Sequence, residues 1–399
     1  MASQPEFLLA SLAFILLMMI PATTVLIHQS YTVYYVRMEE SRNKEMYQLI
    51  YGLLHCPGDP PNWWSAEDVN LIHSLGFSST SEANSLDPHK IFRLVPRNKH
   101  FLKYSDFSKI LGLDDIAVQM KILYPFNVSI EDPLLDWSRN RAYIVVTTRA
   151  WDGTPLPSVD LLIIGIYHNV FYNFPWLWFF LRYSSPLDFN ATIDCTDENG
   201  QGEVSLPMTM SRIYRYGWIR IQIRYVLQAI LAFARYHDCL YALCYKYLDL
   251  EYPNLENIPF NITIRELNTA SEPKGSLNVT LYSNYDISGT ITSLIINPKF
   301  SSKEDLLFIN ETFSISRNIS ASKILRIPSK GVGILILYVQ RFFFFYSLYN
   351  ISIIVWPPVL GYFPSEPYYG PDISHPDLVY QEVLLMRGFP YLVVVKCDY

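Results

Sequence analysis

Cysteine is scarce in this chain of 399 residues: five in all, at Cys56, Cys195, Cys239, Cys244 and Cys397. An odd count with irregular spacing gives neither a disulfide framework nor a metal signature, so buried thiols or one opportunistic disulfide are expected. Missing too are a phosphate-cradling glycine loop, a zinc-protease helix motif and a nucleophile elbow. Basic runs are absent and the formal net charge is −6, which argues against nucleic acid as a partner. Neither an internal repeat nor a low-complexity segment stands out. The eight histidines are scattered, and only His237-Asp238 with Cys239 and Cys244 comes near a catalytic grouping. That pair reads more simply as structural. Asp194, Asp197, Glu198 and Asn199 offer oxygen ligands of the kind Ca²⁺ takes, but they read first as an acidic β-turn. No catalysis and no cofactor are therefore expected.

What the chain does have is apolar and aromatic. Half of it is hydrophobic, with 30 tyrosines and only 17% charged residues. Phe7 to Ile27, through Leu12, Leu17 and Pro21, carries no charged side chain. As a helix that stretch would span roughly 31 Å, the thickness of a bilayer's hydrocarbon core. The pattern predicts that the helix continues, amphipathic, to the Cys56-Pro57-Gly58-Asp59-Pro60-Pro61 stop. The expected fold class is thus a long N-terminal transmembrane helix followed by a mainly-β ectodomain.

Four regions follow from the punctuation: a membrane and stem helix over 1–55, a helical connector over 56–140, a β-sandwich over 141–250 and a second β-rich domain over 251–399. In the connector, Ser65, Asp87-Pro88 and Ser105 read as helix starts. From Ile116 the pattern becomes extended alternation, through Val118, Met120, Ile122 and Tyr124. Beyond Arg141 short strand-like runs alternate with turn residues, and only Val226–Tyr245 could be a long helix. The apolar stretches Leu161–Leu181 and Gly333–Val355 read as strands and turns rather than spans, since Asn and Pro interrupt the first and Arg341 and Asn350 the second. The aromatic run from Tyr167 to Tyr183 reads as core, or as a contact surface for another subunit or a membrane, as does Phe342–Phe345.

Seven Asn-X-Ser/Thr sequons occur, at Asn127, Asn190, Asn261, Asn278, Asn310, Asn318 and Asn350. They favour an exported, glycosylated tail. The charges beside the apolar stretch point the other way, because Arg37, Arg42 and Lys44 follow it and no Lys or Arg precedes it. The expected arrangement is a single-pass cell-membrane protein with its C-terminal ectodomain outside.

Two resemblances sharpen this. Ser3-Gln4-Pro5-Glu6-Phe7, set directly before the apolar run, resembles the class III signal of archaeal type IV pilin-like surface proteins, although it lacks the basic residue usual there. The resemblance implies membrane lipid and other pilin-like subunits as partners, with Glu6 pairing with a neighbouring subunit's terminal amine during assembly. Trp151-Asp152-Gly153-Thr154-Pro155 and the later Thr196-Asp197-Glu198-Asn199-Gly200 together resemble a transthyretin-like or Ig-like sandwich of the carboxypeptidase-regulatory type. That resemblance implies a fold and no activity. The block Pro57 to Trp63 and Leu86 to Lys90 resemble membrane-proximal segments of archaeal surface proteins. A structural, assembly or adhesion role is expected, with an anchored receptor for envelope polymers or solutes as the alternative.

Overall fold

Asp-Gly turns, alternating strands and proline stops shape most of the chain. A computed structural model describes residues 41–399 except 83, 114–115, 170–185, 217–218, 238–239, 249–257, 268–274, 297–299, 301–305, 329–331, 343–346, 363–367 and 399. The chain divides into two compact units, Met1–Gly52 and Leu53–Tyr399.

The transmembrane helix expected over the N-terminal region is corrected here. Among the described residues no helix is long and apolar enough to cross a membrane. What is described is a helix over 41–55 (α1), in which Arg42, Lys44 and Glu45 interrupt the apolar residues, and the protein is mainly β-sheet. Glu6, Phe7, Leu12, Leu17, Pro21 and Ile27 lie outside the described residues. The helix stops at the Cys56-Pro57 break, as the proline cluster requires.

Two 3₁₀ turns follow, Trp63–Ser65 and Val69–Leu71, then α2 (Pro88–Phe92) and α3 (Tyr104–Leu111). Asp87 caps α2 by accepting from the His89 amide, with Pro88 in the first turn. Its missing N–H costs nothing there. Strands come next: β1 (Ala117–Leu123), β2 (Asn127–Ile130), β3 (Leu134–Asp136), β4 (Arg141–Arg149) and β5 (Asp160–Asn169). After these run β6 (Leu187–Cys195), β7 (Gln201–Pro207), β8 (Thr209–Tyr216), β9 (Ile219–Tyr236) and β10 (Leu240–Tyr247). The later strands are β11 (Asn261–Leu267), β12 (Ser276–Tyr282), β13 (Ile287–Ile296), β14 (Leu306–Ile315) and β15 (Ser320–Arg326). Last come β16 (Gly333–Phe342), β17 (Ser347–Trp356), β18 (Leu378–Met386) and β19 (Phe389–Asp398).

Among the described residues five antiparallel sheets result. Sheet A sets β2 and β3 on one edge of β4 and β7 on the other. Sheet B runs β10-β9-β5-β6, with β8 also on β9. Sheet C runs β14-β13-β16-β17 and sheet D runs β11-β12-β15. Sheet E joins β1 to the C-terminal hairpin in the order β1-β19-β18.

The central strands β5 and β16 and residues 225–234 of β9 are buried on both faces, which explains their unbroken apolar runs. On β5, Gly165 lies against Leu206 of β7, and the Tyr167 hydroxyl donates to the Pro207 carbonyl at 2.7 Å. The opposite face of β5 presents His168, which stacks on Tyr338 of β16 and Tyr349 of β17. On its far side sheet C meets sheet D, where the Ser293 hydroxyl donates to the Arg326 carbonyl. The expected helix over Val226–Tyr245 is instead the β9–β10 hairpin, with Ala234 opposite Ala242. A run apolar all round carries no period that separates a helix from a doubly buried strand.

Two Asp-Gly turns lie side by side at the start of β5 and β7. Asp152 accepts from the Thr154 amide, and Asp197 accepts from the amides of Asn199 and Gln201. Thr148 and Thr196 both donate their hydroxyls to the Leu156 carbonyl and so tie the turns together. Gly200 has φ +71°, and a Cβ there would lie 2.5 Å from the Thr148 carbonyl oxygen. Gly200→Ala is expected to cost about 2 kcal/mol or more, read as a lower midpoint in urea unfolding.

Candidate functional site

A loop, a short helix, a strand end and a hairpin turn meet around one cleft. The loop spans 78–86 and is closed by the Ser79 amide donating to the Ser85 carbonyl at 2.7 Å. Its Ser79 and Ser81 hydroxyls lie 2.9 Å apart. α2 contributes His89, the end of β11 contributes Arg265 and Glu266, and the β18–β19 turn contributes Arg387 and Gly388. Trp64 and the serines also line it, and its volume is about 670 Å³. That lies inside the roughly 300–1,000 Å³ range of small-molecule sites.

The hydrogen bonds fix the state of the central imidazole. His89 Nε2 accepts from the Glu266 amide at 2.9 Å, so its proton sits on Nδ1 and is donated to Asp87 at 3.1 Å. Trp64 covers one face of the ring at 4.5 Å. Burial by itself would raise the Asp87 carboxyl. The hydrogen bonds from the His89 side chain and amide, aided by the Lys90 charge, more than offset this and hold it below its ordinary value. Behind it Lys90 is fully buried, and its ammonium donates to the carbonyls of Pro57 and Ser78, each at 2.7 Å. Desolvation pulls that amine down to about 8, with the Asp87 charge opposing.

The second charged pair is unusual in its backbone. Arg387 and Gly388 form the two-residue turn between Met386 and Phe389, with φ +51° and +80°. Such turns favour Asn-Gly, because a larger side chain pays steric strain at positive φ. Here Arg387 donates Nε to Glu266 at 2.8 Å and a terminal nitrogen to the Pro328 carbonyl at 2.6 Å. Trp356 Nε1 donates to the same Glu266 oxygen at 2.6 Å. The strain is therefore matched by a buried, charge-assisted network.

The residues singled out from sequence lie elsewhere. His237 sits exposed in the β9–β10 turn, while Cys244 pairs with Ala232 well down the hairpin; Asp238 and Cys239 lie outside the described residues. Asp197 is committed to its turn, and no group of three or more His, Cys, Asp or Glu able to hold a metal occurs among the described residues. Burial raises the thiols of Cys244 to about 11 and Cys397 to about 12. All seven sequon asparagines lie on strands or, for Asn318, in the β14–β15 turn. Asn261, Asn310 and Asn318 are exposed, and the other four are half-buried. Most of the Tyr167–Tyr183 run and Phe343–Phe345 lie outside the described residues. Sequence reading took Asp87-Pro88 only as a helix start and passed over Trp64, Glu266 and Arg387. An Arg-Gly hairpin turn was the one local signal available.

No protein-family description matches this chain, and no curated protein matches it. Among solved structures it is similar to Escherichia coli alpha-2-macroglobulin activated by porcine elastase, with TM-score 0.17 and 11% identity over 66% of this chain and 24% of that one. MtrC from Shewanella baltica OS185 gives TM-score 0.20 and 6% identity, over 58% of this chain and 69% of that one. Red sea bream transglutaminase gives TM-score 0.15 and 8% identity, over 63% and 33%. The chain thus spans about a quarter of the macroglobulin's length.

Proposed function

We propose that this is a non-catalytic cell-surface protein whose β-sheets face outward in an assembly or adhesion role. The observation that carries the non-catalytic half is the engagement of both nitrogens of the His89 imidazole. The His89 lone pair is taken by a main-chain amide, and one Glu266 oxygen accepts from both Arg387 and Trp356. A general base needs a free lone pair within reach of the substrate proton. The outward orientation draws support from the exposed sequons Asn261, Asn310 and Asn318. The pilin-like start adds Glu6 as the residue on which assembly with other subunits depends.

Protease shaving of intact cells tests the orientation. Release of peptides from 117–398 supports the reading, and their full protection until lysis overturns it. The second reading, an anchored receptor, is favoured by the cleft itself.

A further inference from the structure

We infer that the cleft between Trp64 and Arg387 is a binding site for a neutral saccharide, which deepens the surface-protein reading and rests on it. Four features of the lining bear on the ligand class.

Charge comes first. Asp87 is balanced by Lys90 behind it, and Glu266 by Arg387. Glu82 and Arg265, both exposed, contribute one charge of each sign. An anion such as phosphate would find no surplus of positive charge, and a metal cation no cluster of three ligands among the described residues. A neutral ligand loses nothing by this balance.

The hydroxyls come second. Ser79, Thr80 and Ser81 line the cleft, with Thr80 and Ser81 exposed. Each hydroxyl both donates and accepts, which matches a ligand whose own groups do the same. The third feature is Trp64. Its one face is packed on His89, yet the residue is only half-buried and lines the cleft. An indole held flat on one side is a platform for the C–H face of a pyranose ring, with apolar burial on the face and polar contacts at the rim. Last is rigidity: Trp64 rests on a hydrogen-bonded imidazole, and Arg387 is fixed from two directions. Preformed groups of this kind bind without a large ordering cost.

Glycoside cleavage needs one carboxyl held protonated, and Asp87 is displaced in the opposite direction.

The test is titration of the full-length protein, in a detergent without a sugar headgroup, with cellotriose, maltotriose, mannotriose and chitotriose. Tryptophan fluorescence and saturation-transfer NMR read the binding. Saturable binding of at least one trisaccharide below about 10 mM is expected. Trp64→Ala should weaken it tenfold or more, and Thr80→Ala with Ser81→Ala about threefold. The serine-threonine variant, exposed at both positions, decides the matter if Trp64→Ala does not fold. Failure of all four sugars to saturate, or binding that neither variant weakens, overturns the inference, as does binding of inorganic phosphate in their place. The surface reading fails separately: shaving that leaves 117–398 protected would overturn it even where the sugars bind. Trisaccharide cleavage on incubation would overturn the non-catalytic half.

Discussion

Unfolding should require less denaturant as the pH falls from 6.5 towards 3, and much of that loss should disappear in His168→Phe. His168 is 2% exposed at the end of β5. Its ring is stacked on Tyr349 at 4.0 Å and on Tyr338 at 5.3 Å, and Nε2 lies 3.3 Å from the Tyr338 hydroxyl. Desolvation lowers its value from 6.5 to about 3. Between those values the unfolded chain takes up a proton that the folded chain refuses. Stability therefore rises with pH across the window and is lost as pH falls through it. The full interval corresponds to about 5 kcal/mol, and the part between pH 6.5 and 4 to about 3 kcal/mol. Carboxylates add their own acid dependence, so the informative quantity is the difference in slope between the protein and His168→Phe. Phenylalanine keeps the stacked ring and removes the titration. Equal slopes would mean that the interface between β5 and β16 admits the charged imidazole.

Arg387→Asn is expected to destabilise the protein by about 2–3 kcal/mol, although it improves the turn. Asn tolerates positive φ better than Arg, and Asn-Gly is the favoured pair in this hairpin geometry. On backbone grounds alone the variant would gain stability. It loses a guanidinium whose side chain is 7% exposed and leaves Glu266, 17% exposed, with only the Trp356 indole as a described partner for that oxygen. Removing one member of a buried pair costs about 3–5 kcal/mol, more than the turn returns. A double-mutant cycle with Glu266→Gln should recover part of the loss. A stabilised Arg387→Asn would instead show that the ion pair contributes nothing and that Arg387 is merely a poor turn residue.

Local chemistry was legible where one residue's side chain completes a backbone requirement a few positions away. Asp87-Pro88 opens α2, Asp152-Gly153 and Asp197 with Gly200 form turns, and Cys56-Pro57 ends α1. The alternation of Val118, Met120 and Ile122 likewise gives β1, all three side chains buried. Its partner could not be read: β19 lies at the far end of the chain, and antiparallel pairing leaves no mark on either strand's pattern. The hairpin over 219–247 left a helix open as an alternative because residues 225–234 are buried on both faces. Helix length at the N-terminus was inferred from hydropathy alone, and the described portion is short and interrupted by charge. The cleft was illegible for a related reason. Trp64, His89, Glu266 and Arg387 sit far apart in sequence, and each has an ordinary local reading.

The account turns on the claim that the fold itself consumes both nitrogens of the His89 imidazole. The nitrogen chemical shifts of the His89 imidazole, read from long-range proton–nitrogen correlations near neutral pH, address that claim most directly. A single tautomer with its proton on Nδ1 and Nε2 as a hydrogen-bonded acceptor is the predicted result. A proton on Nε2, or rapid exchange between tautomers, would leave a free base facing the cleft and contradict it.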